Sequence, residues 1–135
     1  MLNILTAIKS KFTGSALSTS VGGRIYLDEA PQGAQFPYVV YSIVSGVPDD
    51  NFKTDMDEIL FQVSLFSSST GATEIATMYN DLKTLLDDAV LTITGWTNVM
   101  TSRQNLTTMT DEVTTTDGLQ KVKHWAVDYS IIVEK

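Results

Sequence analysis

The sequence predicts an α+β fold, a twisted and mainly antiparallel β-sheet with two main helices packed against it. Three observations carry this reading. Apolar residues recur at helical spacing in two segments, β-prone runs with alternating polarity follow each of them, and an Asp-Gly pair stands between two such runs near the C-terminus.

The first helix is expected from Leu2 to about Phe12, where Leu5, Ile8 and Phe12 fall three and four residues apart and Ile4 widens the apolar stripe. Gly14 supplies its stop. Ser15 to Gly23 reads as a turn-rich connection with room for a short helical piece at Ala16-Leu17. Next comes Val21-Gly22-Gly23-Arg24-Ile25-Tyr26, in which the glycines permit positive φ. The segment Ala30-Pro31-Gln32-Gly33-Ala34-Gln35-Phe36-Pro37-Tyr38-Val39-Val40 then turns and enters a strand, because the residue before a proline is pushed towards extended backbone.

Tyr38 to Val44 carries apolar residues at both parities, as a central strand covered on both faces would. A long acidic loop, Gly46 to Asp57, separates it from a second strand at Glu58 to Phe66, where Ile59, Phe61, Val63 and Leu65 alternate with more polar positions. These two strands are expected to pair antiparallel. Ser67 to Thr70 offers side chains that can cap a helix, and the second helix follows from about Gly71 to Leu86 on the stripe Ile75, Tyr79, Leu82 and Leu86. It should stop at Asp87 or Asp88, although acids oppose the dipole at a helix C-terminus.

The final third predicts β structure at Val90 to Ile93, around Trp96 to Ser102, and on both sides of Asp117-Gly118, a pair suited to a tight hairpin turn. In the return strand Trp125, Val127, Tyr129, Ile131 and Val133 share one parity and face the core, while His124, Asp128 and Ser130 share the other. The stretch from Thr110 to Gln120 is too polar for a core. It is either a solvated arm or a surface that pairs with another chain.

The chain has 135 residues, enough for one domain with an independent core, and no linker or repeat divides residues 1–135. Without cysteine it has no disulfide, thiolate ligand or thiol nucleophile. The start lacks a basic signal region, and no run approaches the roughly 18 apolar residues of a membrane span. Nine basic residues stand against sixteen acidic ones, a net charge of -7, with the basic residues scattered. That field opposes phosphate binding, so sequence-specific nucleic-acid recognition is not expected, nor is a membrane partner.

Catalytic and metal chemistry finds little support in the residues. His124 is the only histidine, so neither a two-histidine metal site nor a triad is indicated. Asp49, Asp50, Asn51, Asp55, Asp57 and Glu58 offer oxygens of the kind calcium takes, without the spaced loop of a calcium-binding hand. Gly22-Gly23 lacks the rest of a dinucleotide or phosphate-binding loop. No catalytic residue, no cofactor and no metal are assigned.

The succession of elements resembles the tail completion, or tail terminator, proteins of long-tailed bacteriophages, a family that includes the tail-to-head joining proteins. The likeness rests on the opening helix, Val21-Gly22-Gly23-Arg24-Ile25-Tyr26, the run from Pro31 to Val40, the strand ending Leu65-Phe66-Ser67, the helix Ala72 to Leu86 and the Asp117-Gly118 hairpin. The resemblance implies a structural subunit of the virion at the head-tail junction, assembled in the host bacterial cytoplasm. Its implied partners are itself, as a ring of six copies, the tail tube protein and a head-completion or connector protein. The family offers no catalytic residues to carry over. The segments left outside the expected core are the candidate contact surfaces: Asp49, Asp50, Asn51 and Asp55 in the acidic loop, and Thr110, Asp111, Glu112, Thr116, Asp117 and Gly118 in the hairpin. A competing reading makes the chain a small soluble domain that holds a ligand or cation in loop 46–58.

Overall fold

The structure, a computed structural model, describes residues 2–31, 33–48, 56–69, 71–87, 91–93, 95–115 and 118–134. Helices α1 (Leu2–Phe12) and α2 (Ala16–Ser20) precede strands β1 (Ile25–Leu27), β2 (Tyr38–Pro48) and β3 (Met56–Ser67). Helix α3 (Thr73–Leu86) then leads to β4 (Thr92–Ile93), β5 (Trp96–Thr115) and β6 (Gly118–Glu134). The strands form one sheet in the order β1-β2-β3-β6-β5-β4. Every pairing is antiparallel except that of β1 with β2.

Alternation along the strands sorts the side chains onto two faces. Val39 and Tyr41, Ile59, Phe61, Val63 and Leu65, and Val127, Tyr129, Ile131 and Val133 point to one face, and none is more than 4% exposed. Helix α1 lays Ile4, Ala7, Ile8 and Phe12 there, with the Phe12 ring 5.2 Å from that of Tyr41. Helix α3 adds Ile75, Met78, Leu82 and Leu86 to the same core. Each such side chain contributes about 1.5–3 kcal/mol on removal from water, which is what holds helices to sheet.

The glycine-rich link does what its residues permit. Gly22 and Gly23 adopt φ of 61° and 77°, so the chain reverses out of α2 and enters β1. Arg24 folds beside Gly22, where an added Cβ would lie 2.9 Å from its guanidinium nitrogen, and donates from Nε to the Pro37 carbonyl at 3.0 Å. Val39 N in turn donates to the Arg24 carbonyl at 2.9 Å, which ties the link to the entry of β2. The Phe36-Pro37 peptide is cis.

Several boundaries differ from those read in the sequence. The β2-β3 ladder runs on through Val47 opposite Glu58 to Pro48 opposite Asp57, so both ends of the expected loop Gly46 to Asp57 are strand, past a bulge between Ile43 and Ser45. Ala72 occupies the N-cap of α3 with no side-chain cap, while Ser67 Oγ donates to Glu74 Oε1 at 2.6 Å instead. The polar stretch between Ser102 and Met109 is continuous strand: β5 spans 20 residues with bulges between Asn98 and Met100 and between Arg103 and Asn105. Among the described residues, no helix is long and apolar enough to cross a membrane.

The acid at the end of α3 acquires a purpose from the fold. Asp87 accepts a hydrogen bond from the Tyr129 hydroxyl at 3.0 Å and faces the Arg103 guanidinium at 3.5 Å. Arg103 also donates to the Tyr79 hydroxyl at 2.9 Å, and the Tyr79 ring meets Trp125 edge-on. Burial first, and then the bond to Asp87, push the Tyr129 phenol well above its ordinary range, so it stays a donor. The Asp87-Arg103 pair is a third exposed on each side and contributes at most about 1 kcal/mol, so packing holds α3 and these contacts orient its end.

Candidate functional site

Beyond the pair Ser67 and Lys123, β6 has left β3 behind and keeps β5 as its strand neighbour. Five cross-strand pairs, from Asp111 opposite Val122 to Thr115 opposite Gly118, thereby form a two-stranded arm that extends past the sheet. At about 3.4 Å per residue it reaches roughly 17 Å. Isolated two-stranded ribbons are marginal in water, and at the root of this one Val122 is buried.

The root of the arm is anchored on the sheet face opposite the helices. Tyr38, Phe66 and His124 are cross-strand neighbours on β2, β3 and β6, and their rings stack, Tyr38 on Phe66 at 4.8 Å and Phe66 on His124 at 4.2 Å. Phe36 and Tyr26 extend the row at 5.1 and 6.1 Å from Tyr38. His124 Nδ1 lies 3.1 Å from Asp111 Oδ2, a diagonal contact that pins the first residue of the arm to the aromatic row. His124 therefore has a structural task, and its buried Nε2 has no hydrogen-bond partner among the described residues.

The same face carries carboxylates. Gln62 donates to Asp128 at 3.0 Å and Ser130 donates to Glu58 at 3.0 Å, and Gln62, Asp128 and Glu58 border a cleft of about 390 Å³ with Val44, Leu60 and Gln104. Val44, 60% exposed, gives the rim an apolar element. Among the described residues, no group of three or more His, Asp or Glu side chains is placed to hold a metal ion.

The candidate contact residues separate into two sets. Asp49, Asp50, Asn51 and Asp55, with Thr116 and Asp117, lie outside the described residues. Thr110, Asp111, Glu112 and Gly118 belong to the arm or its root, in the strand ladder. Thr110 and Glu112 are exposed opposite Lys123 and Lys121, and Gly118 opens β6 opposite Thr115. Sequence reasoning placed Tyr129 in the core but missed Arg103, the bond from the Tyr129 hydroxyl to Asp87, and the aromatic row. The shared parity of Phe66 with its cross-strand partners becomes readable only once the register is known.

Comparison with known proteins assigns the chain to a family. Residues 6–134 match the family described as tail completion protein gp17, and the chain belongs to that family. It is thus a structural protein of a phage-type virion, a component of the tail. A chain from the solved virion of a native gene transfer agent particle aligns over 96% of this chain and 93% of its own length, at 18% identity and a TM-score of 0.72, and so shares the fold. Another solved chain aligns over 94% of both lengths at 13% identity and a TM-score of 0.49. No curated protein matches the sequence.

Proposed function

We propose that the chain terminates the tail, closing as a ring of six identical subunits on the finished tube and joining it to the head. Membership of the tail completion family across residues 6–134 is the observation that supports this reading. The arm adds to it, because a ribbon that outruns its sheet has backbone and side chains to offer a tube, a connector or the next subunit. On this reading Thr110, Asp111, Glu112, Thr116, Asp117 and Gly118 meet a partner, as do Asp49, Asp50, Asn51 and Asp55 between β2 and β3. Each subunit presents one surface to the neighbour ahead and another to the neighbour behind, and the rotation between them closes the ring.

Charge sets how such a ring responds to salt. Six copies gather about forty negative charges within a few tens of ångströms, and the Debye length is about 10 Å at 0.1 M salt. Moderate salt is therefore expected to strengthen self-assembly of the isolated protein. Sedimentation velocity from low to moderate ionic strength checks this, with larger species as salt rises as the predicted result. Larger species confined to low salt would show that complementary ion pairs dominate the contact.

A further inference from the structure

We propose that two free copies of this chain pair through the outer edge of β5, antiparallel, about a two-fold axis at Thr108. Strand β6 borders β5 on one side from Thr97 to Thr115, but on the other side β4 reaches Trp96 and Thr97 alone. Among the described residues, no strand covers the outer edge from Asn98 to Thr115. Edge strands are ordinarily blunted by shortness, lysine, proline or bulges. This one is long, holds no lysine, proline or glycine, has Arg103, Asp111 and Glu112 as its charged residues, and runs without a bulge from Asn105 to Thr115. Thr107, Thr108, Met109 and Thr110 are exposed, in a segment rich in β-prone threonine.

The occupant follows from the order of side chains along that edge. Residues facing each other across paired strands must share a sheet face, and within β5 the bulge at Gln104 puts Arg103 on the same face as Leu106, Thr108, Thr110 and Glu112, as their β6 partners show. An antiparallel copy centred on Thr108 sets Leu106 opposite Thr110, Thr107 opposite Met109 and Asn105 opposite Asp111. Past the bulge, Arg103 stands opposite Glu112. Each contact occurs twice, no two like charges stand directly opposite, and Arg103, which already faces Asp87, takes Glu112 as a second carboxylate. Moving the axis by even one residue, which slides the register by two and keeps the faces matched, loses the Arg103-Glu112 match. Two-fold pairing also closes at two copies, so it covers both edges and prevents open-ended sheet growth.

The chain has no cysteine, which makes the test direct. Directly opposed residues in an antiparallel pair have Cα atoms about 4.5–5.5 Å apart, within the range a disulfide spans. Full-length Thr108→Cys under mild oxidation is expected to form a linked dimer at least about tenfold faster than Thr84→Cys, an exposed position on α3. Adding Glu112→Arg, which sets arginine against Arg103 twice, should slow that linkage about fivefold or more. Equal rates for the two cysteine variants would overturn the proposal, as would indifference to Glu112→Arg. Should Thr108→Cys fail to fold, the dimer constant of the cysteine-free chain by sedimentation equilibrium decides the matter, with weakening by Glu112→Arg as the predicted outcome and an unchanged constant as the refuting one. These measurements use the free chain without tail components, so their failure leaves the ring reading standing.

Discussion

Leu82→Ala is expected to destabilise the fold by about 2–5 kcal/mol, because Leu82 is fully buried where α3 packs on the sheet and a truncated leucine leaves a cavity the core closes only in part. The neighbouring Thr84, exposed on the same helix, provides the contrast: Thr84→Ala should stay within about 0.5 kcal/mol. Urea melts of the two variants against the parent make the comparison. Whole-domain stability is commonly about 5–15 kcal/mol, so the upper end of the Leu82 range would leave part of the population unfolded. Similar midpoints for both variants would mean that α3 adds little to the core.

The second large effect concerns function. Deleting Val113 and Thr114 from one strand of the arm, and Leu119 and Gln120 opposite them, removes two cross-strand pairs and leaves Thr115 to Gly118 as the tip. Because two residues leave each strand, the alternation of side chains is kept and no face is inverted. The aromatic row, the His124-Asp111 contact and the helix-side core all lie nearer the sheet. Thermal unfolding of the shortened protein should therefore match the parent closely. In a complementation assay it should nevertheless fail, giving unjoined heads and tails or tails of uncontrolled length, since the arm no longer reaches its partner. Normal titre from this variant would remove the arm from the assembly surface.

How far the sequence discloses this fold depends on what each residue pattern encodes. The stripe through Leu5, Ile8 and Phe12, and the alternation from Val127 to Val133, report burial on one face. Burial on one face is what periodicity measures, and these elements appear where expected. Gly22 and Gly23 likewise mark a backbone reversal that other residues adopt only with strain. The middle of strand β5, between Ser102 and Met109, escapes the same reasoning because much of it is exposed, so Thr107 and Thr108 carry no apolar alternation to read. The continuation of β2 through Pro48 is set by pairing with β3, a tertiary fact that outweighs the turn chemistry of Gly46 and Pro48. Asp87 looks misplaced in sequence because its partners, Arg103 and Tyr129, are far along the chain.

The candidate contact surface is legible in outline alone. Polarity from Thr110 to Gln120 excludes that stretch from a core, and the structure adds the physical reason: the β3 ladder ends at Ser67, so beyond it, among the described residues, β5 and β6 pair only with each other, although Val122 at the root is buried. The polar parity of His124 is equally visible in sequence, yet its stack on Phe66 and its contact with Asp111 arise from register. An edge left open by the two-residue β4 is a property of the assembled sheet, which no local pattern announces.

The most direct test of a tail-terminating role is electron microscopy of particles made when the gene for this chain is deleted from the phage or phage-like element that encodes it. Filled heads separate from tails, or tails that run past their proper length, with joined particles of normal length restored by supplying the chain in trans, are the predicted result. Joined particles of normal tail length in the absence of the chain would contradict it.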